Sequence, residues 1–176
     1  MEKNFIKDFF LNLKIPVHEW AVLPSSKIPF SPSLLDYCKT NACGNYNKSW
    51  VCPPACESFE KQREKILSYR EVLVFSTLHK IEDSFDYEGM TKGRKKHTFL
   101  TSEIKEKLTD TPVFGAASCP ICSVCNYPSP CLYPEKRIES VEAAGVDVTK
   151  LCKISGLKYN NGQGTVTFFS LVLLNN

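Results

Sequence analysis

The chain has 176 residues and a formal net charge of +3, and 43% of its residues are hydrophobic. This length fits a single domain, residues 1–176, that can bury a true hydrophobic core. The small net charge gives little support for a nucleic-acid partner. No apolar run reaches the roughly 20 residues that a membrane-spanning helix needs, so we expect no membrane partner either.

Nine cysteines are the unusual feature of the composition. Disulfides and metal sites are the two explanations. Residues 1–13 lack the basic and apolar segments of a secretory signal, so we expect a cytoplasmic protein in a reducing compartment, where thiols stay reduced. An odd number of cysteines also suits a disulfide framework poorly. The cysteines therefore predict metal or redox chemistry.

The first half of the chain predicts two helices and two strands. Apolar residues recur at helical spacing over residues 5–13, and Pro16 ends this pattern. Residues 18–22 alternate as a short strand does, and the charged segment 58–69 predicts a second helix. Residues 71–78 are almost continuously apolar, which predicts a buried central strand.

The second half predicts a long helix, two short helices and two strands. In chain order these are a helix over 92–108, a short strand over 112–117, helices over 138–144 and 147–155, and a final strand over 165–174. The basic stretch at 92–97 is expected to be a solvated helix face, because no aromatic residues are interleaved with it.

The order of these elements predicts an α/β or α+β fold with a small central sheet flanked by helices. Cysteine-rich loops at 38–56 and 119–131 lie between the predicted elements. Strand ends are where such sheets usually hold ligands, so we expect these loops to carry the metal.

The later cysteine group is the stronger metal motif. It consists of Cys119, Cys122, Cys125 and Cys131. The first three follow one another at the spacing of bacterial ferredoxins, in which thiolates of one loop bind different irons of a cubane cluster. Prolines around these residues stiffen the loop. The motif predicts a 4Fe-4S cluster, with a structural zinc on four thiolates as the alternative.

The earlier cysteine group is spaced more loosely and matches no standard ferredoxin pattern. It consists of Cys38, Cys43, Cys52 and Cys56. Soft thiolate ligands still favour an iron–sulfur cluster or zinc over a hard cation. Buried thiols without a ligand role are the alternative, above all for Cys56. A site with only three thiolates would leave one iron open to a substrate.

Three further residues complete the set of candidates. Cys152 lies in a predicted amphipathic helix, where a buried core thiol is expected and a ligand role is the alternative. Tyr46 and Trp50 flank the earlier cysteine group, so we expect them to border the bound cofactor and shield it from water.

The segment CGNYNKSWVCPP, at 43–54, resembles the signature of an uncharacterised family of predicted metal-binding proteins. The same family is indicated by ASC at 117–119, PEK at 134–136, SVEA at 140–143 and GVDV at 145–148. The resemblance implies metal binding through these cysteines, as iron–sulfur, in a cytoplasmic protein, and it implies no particular reaction. Two positions depart from the family pattern: Asn47 stands where glycine is expected, and Cys56 where many relatives carry an apolar residue.

Three functions remain open at this point. The first is a redox protein with two 4Fe-4S clusters that exchanges electrons with a partner protein or a small-molecule substrate. The second is an enzyme that uses an open iron at the earlier cysteine group for sulfur transfer or a reduction. The third is a zinc-stabilised interaction module without catalysis. A hydrolytic triad has no support, because the three histidines accompany no nucleophile motif.

Overall fold

A computed structural model describes residues 3–175 of the chain. Within that range the helices are α1 (Lys3–Leu11), α2 (Leu34–Lys39), α3 (Phe59–Leu67), α4 (Tyr87–Lys107) and α5 (Val148–Ser155), with short 3₁₀ helices at Ser25–Lys27 and Pro134–Lys136. The strands are β1 (Trp20–Pro24), β2 (Glu71–Lys80), β3 (Val113–Gly115), β4 (Glu139–Ser140) and β5 (Thr165–Leu174). These elements confirm the predicted α/β fold with a central sheet.

The five strands form one sheet in the order β1-β2-β5-β3-β4. β2 and β5 are long antiparallel neighbours, whose register runs from Glu71 opposite Leu174 to Lys80 opposite Thr165. β1 and β3 pair antiparallel with β2 and β5, whereas β4 pairs parallel with β3 at the edge. The middle strand is therefore β5, with β2 beside it.

Helices cover both faces of the sheet. On one face, Val72 and Val74 of β2 pack in a core that includes Ile66 of α3 and Leu151 of α5. On the other face, the intervening strand residues pack against α1 and α4. Strands that are buried on both faces have almost continuous apolar sequences, which is why β2 and β5 were so readily predicted.

Segment 138–144 is not the predicted helix. Ile138, Val141 and Ala144 are three residues apart, as on a helix face, but Ile138 belongs to one core and the other two to the core on the opposite face. Glu139–Ser140 instead forms β4, and a turn follows. The turn ends at Gly145, whose φ is +70° and where a Cβ would lie 2.6 Å from a ring carbon of Phe59.

The connection between β3 and β4 positions the later cysteine group. Parallel neighbours need a crossover connection, which is usually a helix that packs on the sheet. Residues 116–138 make this crossover, and their regular structure is confined to the 3₁₀ turn at Pro134–Lys136. A connection of this length with so little secondary structure is uncommon in a compact domain and is usually functional.

Candidate metal centre

The earlier cysteine group surrounds a cavity of about 150 Å³, which we call the first cavity. The thiols of Cys38, Cys43 and Cys52 line it together with Asn45, Tyr46, Pro53, Ala117, Ser140, Glu142 and Ala143. Its floor comes from the residues that follow β3 and β4, whose carboxyl ends lie at the same edge because the two strands are parallel.

Tight turns bring the three thiols of the first cavity together. Cys38 lies in the last turn of α2, and the chain then folds back so that the Asn47 N–H donates to the Pro53 carbonyl at 2.8 Å. Asn47 has a φ of +57°, the left-handed conformation that glycine adopts without strain. Asparagine is among the residues that tolerate this conformation best, which explains how it can occupy a position where the resemblance leads us to expect glycine.

Burial and neighbouring negative charge favour the protonated form of the Cys38 and Cys52 thiols. Burial, followed by the charges of Cys43, Cys56, Cys38 and Glu142, raises the pKa of Cys52 to about 12. Burial, then Cys43 and Glu142, also raise the pKa of Cys38. A bound cation reverses this effect, because coordination deprotonates a thiol outright.

Cys56 lies near the first cavity without lining it. Its backbone N–H donates to the Cys52 carbonyl at 3.1 Å, and burial followed by the charge of Glu139 raises the pKa of its thiol to about 11. The structure thus gathers three of the four predicted thiols of this group around one space, and Glu142 stands there beside them.

The later cysteine group surrounds a second cavity of about 20 Å³, which has room for about one water molecule. All four predicted thiols line it: Cys119, Cys122, Cys125 and Cys131. The other lining residues include Ser49, Trp50 and Val51 from the earlier cysteine loop and Arg137 from the β3–β4 connection. The second cavity is therefore much more tightly packed than the first.

Hydrogen-bond donors point at two sulfurs of the second cavity. Burial raises the pKa of Cys125, but N–H donors from Trp50, Tyr127 and Asn126 and the Ser49 hydroxyl outweigh it, and the pKa is lowered overall. Burial raises the pKa of Cys119, against N–H donors from Ile138 and Ile121. Donors of this kind stabilise thiolates and tune the potential of iron–sulfur clusters. The donor set suits a soft metal centre.

The two cavities share a wall. Ser49, Trp50 and Val51 line the second cavity, and the next two residues, Cys52 and Pro53, line the first. The β3–β4 connection repeats this arrangement, since Ala117 lines the first cavity and Cys119 the second. Two separate chain segments thus run past both sites.

Aromatic residues join the two cysteine loops. The Trp50 indole N–H donates to the Ser129 carbonyl at 2.9 Å, and its ring meets the Tyr127 ring edge-on, with centroids 5.1 Å apart. The Tyr127 hydroxyl donates to Asn47 Oδ1 at 2.9 Å. Of the two aromatic residues expected beside the first group, Tyr46 lines the first cavity, whereas Trp50 lines the second.

Glu142 is the site residue that the sequence analysis missed. Its Oε2 accepts hydrogen bonds from the Ala117 N–H at 3.1 Å and from the Ser140 hydroxyl at 2.9 Å. In the sequence, Glu142 belongs to the segment SVEA, which contains no thiol and does not indicate a metal ligand. Because residues 138–144 were predicted as a helix, no strand end was expected beside Glu142, and its place there depends on β4.

The remaining candidates lie away from the cavities. Cys152 lines neither cavity, is 1% exposed in the core beside Leu151, and burial raises its pKa to about 11. The His97 side chain is buried, and its ring forms hydrogen bonds with the hydroxyl groups of Thr77 at 2.9 Å and Ser170 at 2.7 Å.

Among residues 3–175, no group of three or more His, Cys, Asp and Glu side chains is spaced to hold a single metal ion.

Comparison with known proteins agrees with the chemistry of these cavities. The family model described as "Predicted metal-binding protein (DUF2284)" matches residues 21–174, which include both cysteine groups. No curated protein and no solved structure matches the chain. None of the helices in the described part of the chain is long and apolar enough to cross a membrane. The chain belongs to the DUF2284 family of predicted metal-binding proteins.

Proposed function

We propose that this protein is an iron–sulfur protein with two neighbouring 4Fe-4S clusters that transfers electrons. The observation that supports this proposal best is the pair of thiol-lined cavities separated by the shared wall at 49–53. Clusters held on either side of one short chain segment would be close enough to exchange electrons within the protein.

The second cavity suits a closed electron-transfer centre. Four thiols line it, so a cluster bound there has a thiolate for each iron. The ferredoxin-like spacing of Cys119, Cys122 and Cys125 favours a cluster over zinc, because zinc sites more often use two separated cysteine pairs. The donors to Cys125 are the protein's means of adjusting the potential.

A redox partner protein would reach the second cluster through exposed apolar side chains. Val124 is 82% exposed, Leu132 59% and Tyr133 44%, and all three belong to the loop that holds the cluster ligands. Exposed apolar groups around a redox centre suit the small transient interfaces that such partners form. Thiolate ligands need a reducing compartment, which supports a cytoplasmic location.

The first cavity supports a second candidate function, an enzyme that reduces a small molecule or transfers sulfur to it. Only three thiols line this cavity, and Cys38, Cys43 and Glu142 also line a groove of about 570 Å³. This volume is typical of small-molecule sites. Aromatic residues, among them Tyr37, Tyr159 and Phe168, line the groove. Electrons from the second cluster would then serve a reaction at the first.

The test is anaerobic reconstitution of three matched cysteine variants. Cys122→Ser should lose the second cluster, Cys43→Ser the first, and the core variant Cys152→Ser neither, as measured by iron, sulfide and electron paramagnetic resonance (EPR). If Cys152→Ser loses as much iron as Cys122→Ser, the ligand assignment is wrong. Binding of zinc alone would instead support the zinc-stabilised interaction module.

A further inference from the structure

We propose that Glu142, and not Cys56, completes the first site, as a displaceable oxygen ligand to the cluster held by Cys38, Cys43 and Cys52. This inference rests on the proposed function and names the ligand set and the exchangeable position of that same site. It replaces one of the four thiolates that the sequence indicated.

The placement of the two candidate ligands differs. Glu142 lines the first cavity together with the three thiols, and Cys56 does not. Glu142 also lines the larger groove, together with Cys38 and Cys43. The carboxylate therefore stands where the thiol cavity opens into the space that a substrate would use.

The Glu142 carboxylate is held in a fixed orientation. Both of its hydrogen bonds are accepted by Oε2, from the Ala117 N–H at 3.1 Å and from the Ser140 hydroxyl at 2.9 Å, so a metal can bind through Oε1. The Ser140 hydroxyl oxygen also accepts the Ala143 N–H at 3.2 Å, which directs its proton toward Glu142. Ala117 has a φ of +66°, a strained conformation of the kind that clusters at functional sites.

The charged residues around the first cavity favour the binding of a cation. Among residues 3–175, no basic residue lines the first cavity or the groove. The nearby Glu139 is different, because Arg137 lies 2.8 Å and Lys65 3.7 Å from its Oε1. Glu142 is bonded by neutral donors instead, so its charge is available to a positively charged iron.

An oxygen ligand gives the first site its exchangeable position. Carboxylate oxygen is a harder ligand than thiolate and is less well matched to iron in a sulfide cluster, so it is the ligand that a substrate displaces most readily. A substrate that enters the groove would meet this position first. The second site, with four thiolates, has no equivalent.

The test compares Glu142→Gln with Cys56→Ser, and Glu57→Gln is the matched control because it removes an exposed carboxylate next to Cys56. Each protein is reconstituted anaerobically, its EPR spectrum is recorded, and iron release is followed during titration with ferricyanide. Glu142→Gln should change the spectrum of the first cluster and speed the release of its exchangeable iron several-fold. Cys56→Ser and Glu57→Gln should both match the wild type.

A wild-type measurement covers the case in which Glu142→Gln does not fold. Ferricyanide should convert only the first cluster to the 3Fe-4S form, and added ⁵⁷Fe²⁺ with a reductant should then label a single Mössbauer site. Loss of the first cluster in Cys56→Ser, or equal resistance of both wild-type clusters to iron loss, overturns the assignment while leaving two clusters in place. A protein that takes up only zinc overturns the proposed function and this inference together.

Discussion

The contact between Trp50 and Tyr127 should couple the two cysteine loops energetically. The rings meet edge-on at 5.1 Å, the Trp50 indole donates to the Ser129 carbonyl, and the Tyr127 hydroxyl donates to Asn47. These contacts cross between segments far apart in the chain and lie beside the shared wall of the two cavities. Removing them should therefore weaken both the fold and the coupling of the sites.

The structure sets the size of the effect. An edge-on aromatic pair contributes about 0.5–1.5 kcal/mol beyond its buried area, and a neutral hydrogen bond about 0.5–1.5 kcal/mol. Trp50→Ala loses one of each as well as buried apolar area, so we expect the free energy of unfolding to fall by at least about 2 kcal/mol. Tyr127→Ala should cost about as much, for the same reason.

A double-mutant cycle separates the pair from the individual losses. Urea unfolding of Trp50→Ala, Tyr127→Ala and the double variant should give a coupling energy of about 1 kcal/mol. Trp50→Ala combined with Phe85→Ala is the control, because Phe85 is 76% exposed in another loop, and this combination should be additive. If the Trp50 and Tyr127 effects also add within about 0.3 kcal/mol, the rings do not join the loops as described.

Three further predictions concern stability and metal content. Asn47→Ala should lower the free energy of unfolding by about 1 kcal/mol more than Asn47→Gly in urea titrations, since a left-handed alanine is strained. Without metal, Cys122→Ser and the wild type should have similar free energies of unfolding. After reconstitution, Cys122→Ser should be less stable than the wild type, because metal binding contributes to folding. Burial lowers the pKa of His97 from 6.5 to about 3, so the unfolded chain binds a proton there that the fold excludes. The free energy of unfolding is therefore retained above pH 6.5 and falls as the pH is lowered toward 3. In urea titrations, the decrease in this free energy from pH 7 to pH 5 should be smaller for His97→Gln than for the wild type.

Much of the fold was predictable because the sheet is buried on both faces. β2 and β5 are ten residues long and contain the apolar runs 72–75 and 171–174, and α1, α3 and α5 show clear helical periodicity. β4 was not predictable, because its two residues carry no pattern of their own and Ile138 and Val141 imitate a helix. The long helix α4 begins at Tyr87, earlier than the predicted residue 92, because Asp86 caps it by accepting the Gly89 N–H at 2.7 Å.

The site was predictable where it depends on local spacing. The four cysteines of the later group lie within one loop, and all of them line one cavity. The first cavity depends instead on residues that are distant in sequence, because Ala117, Ser140 and Glu142 meet Cys38 only through the pairing of β3 with β4. No periodicity or motif around Glu142 indicates that pairing, so its place beside the thiols required the structure.

The most direct test of the central claim is the metal content of the protein after anaerobic purification and reconstitution. Iron, acid-labile sulfide and zinc should be measured on the same sample, together with its visible absorption. Two cubane clusters predict about eight irons and eight sulfides per chain, a brown colour, and an EPR signal after reduction. Stoichiometric zinc in a colourless protein that binds no iron would contradict the account.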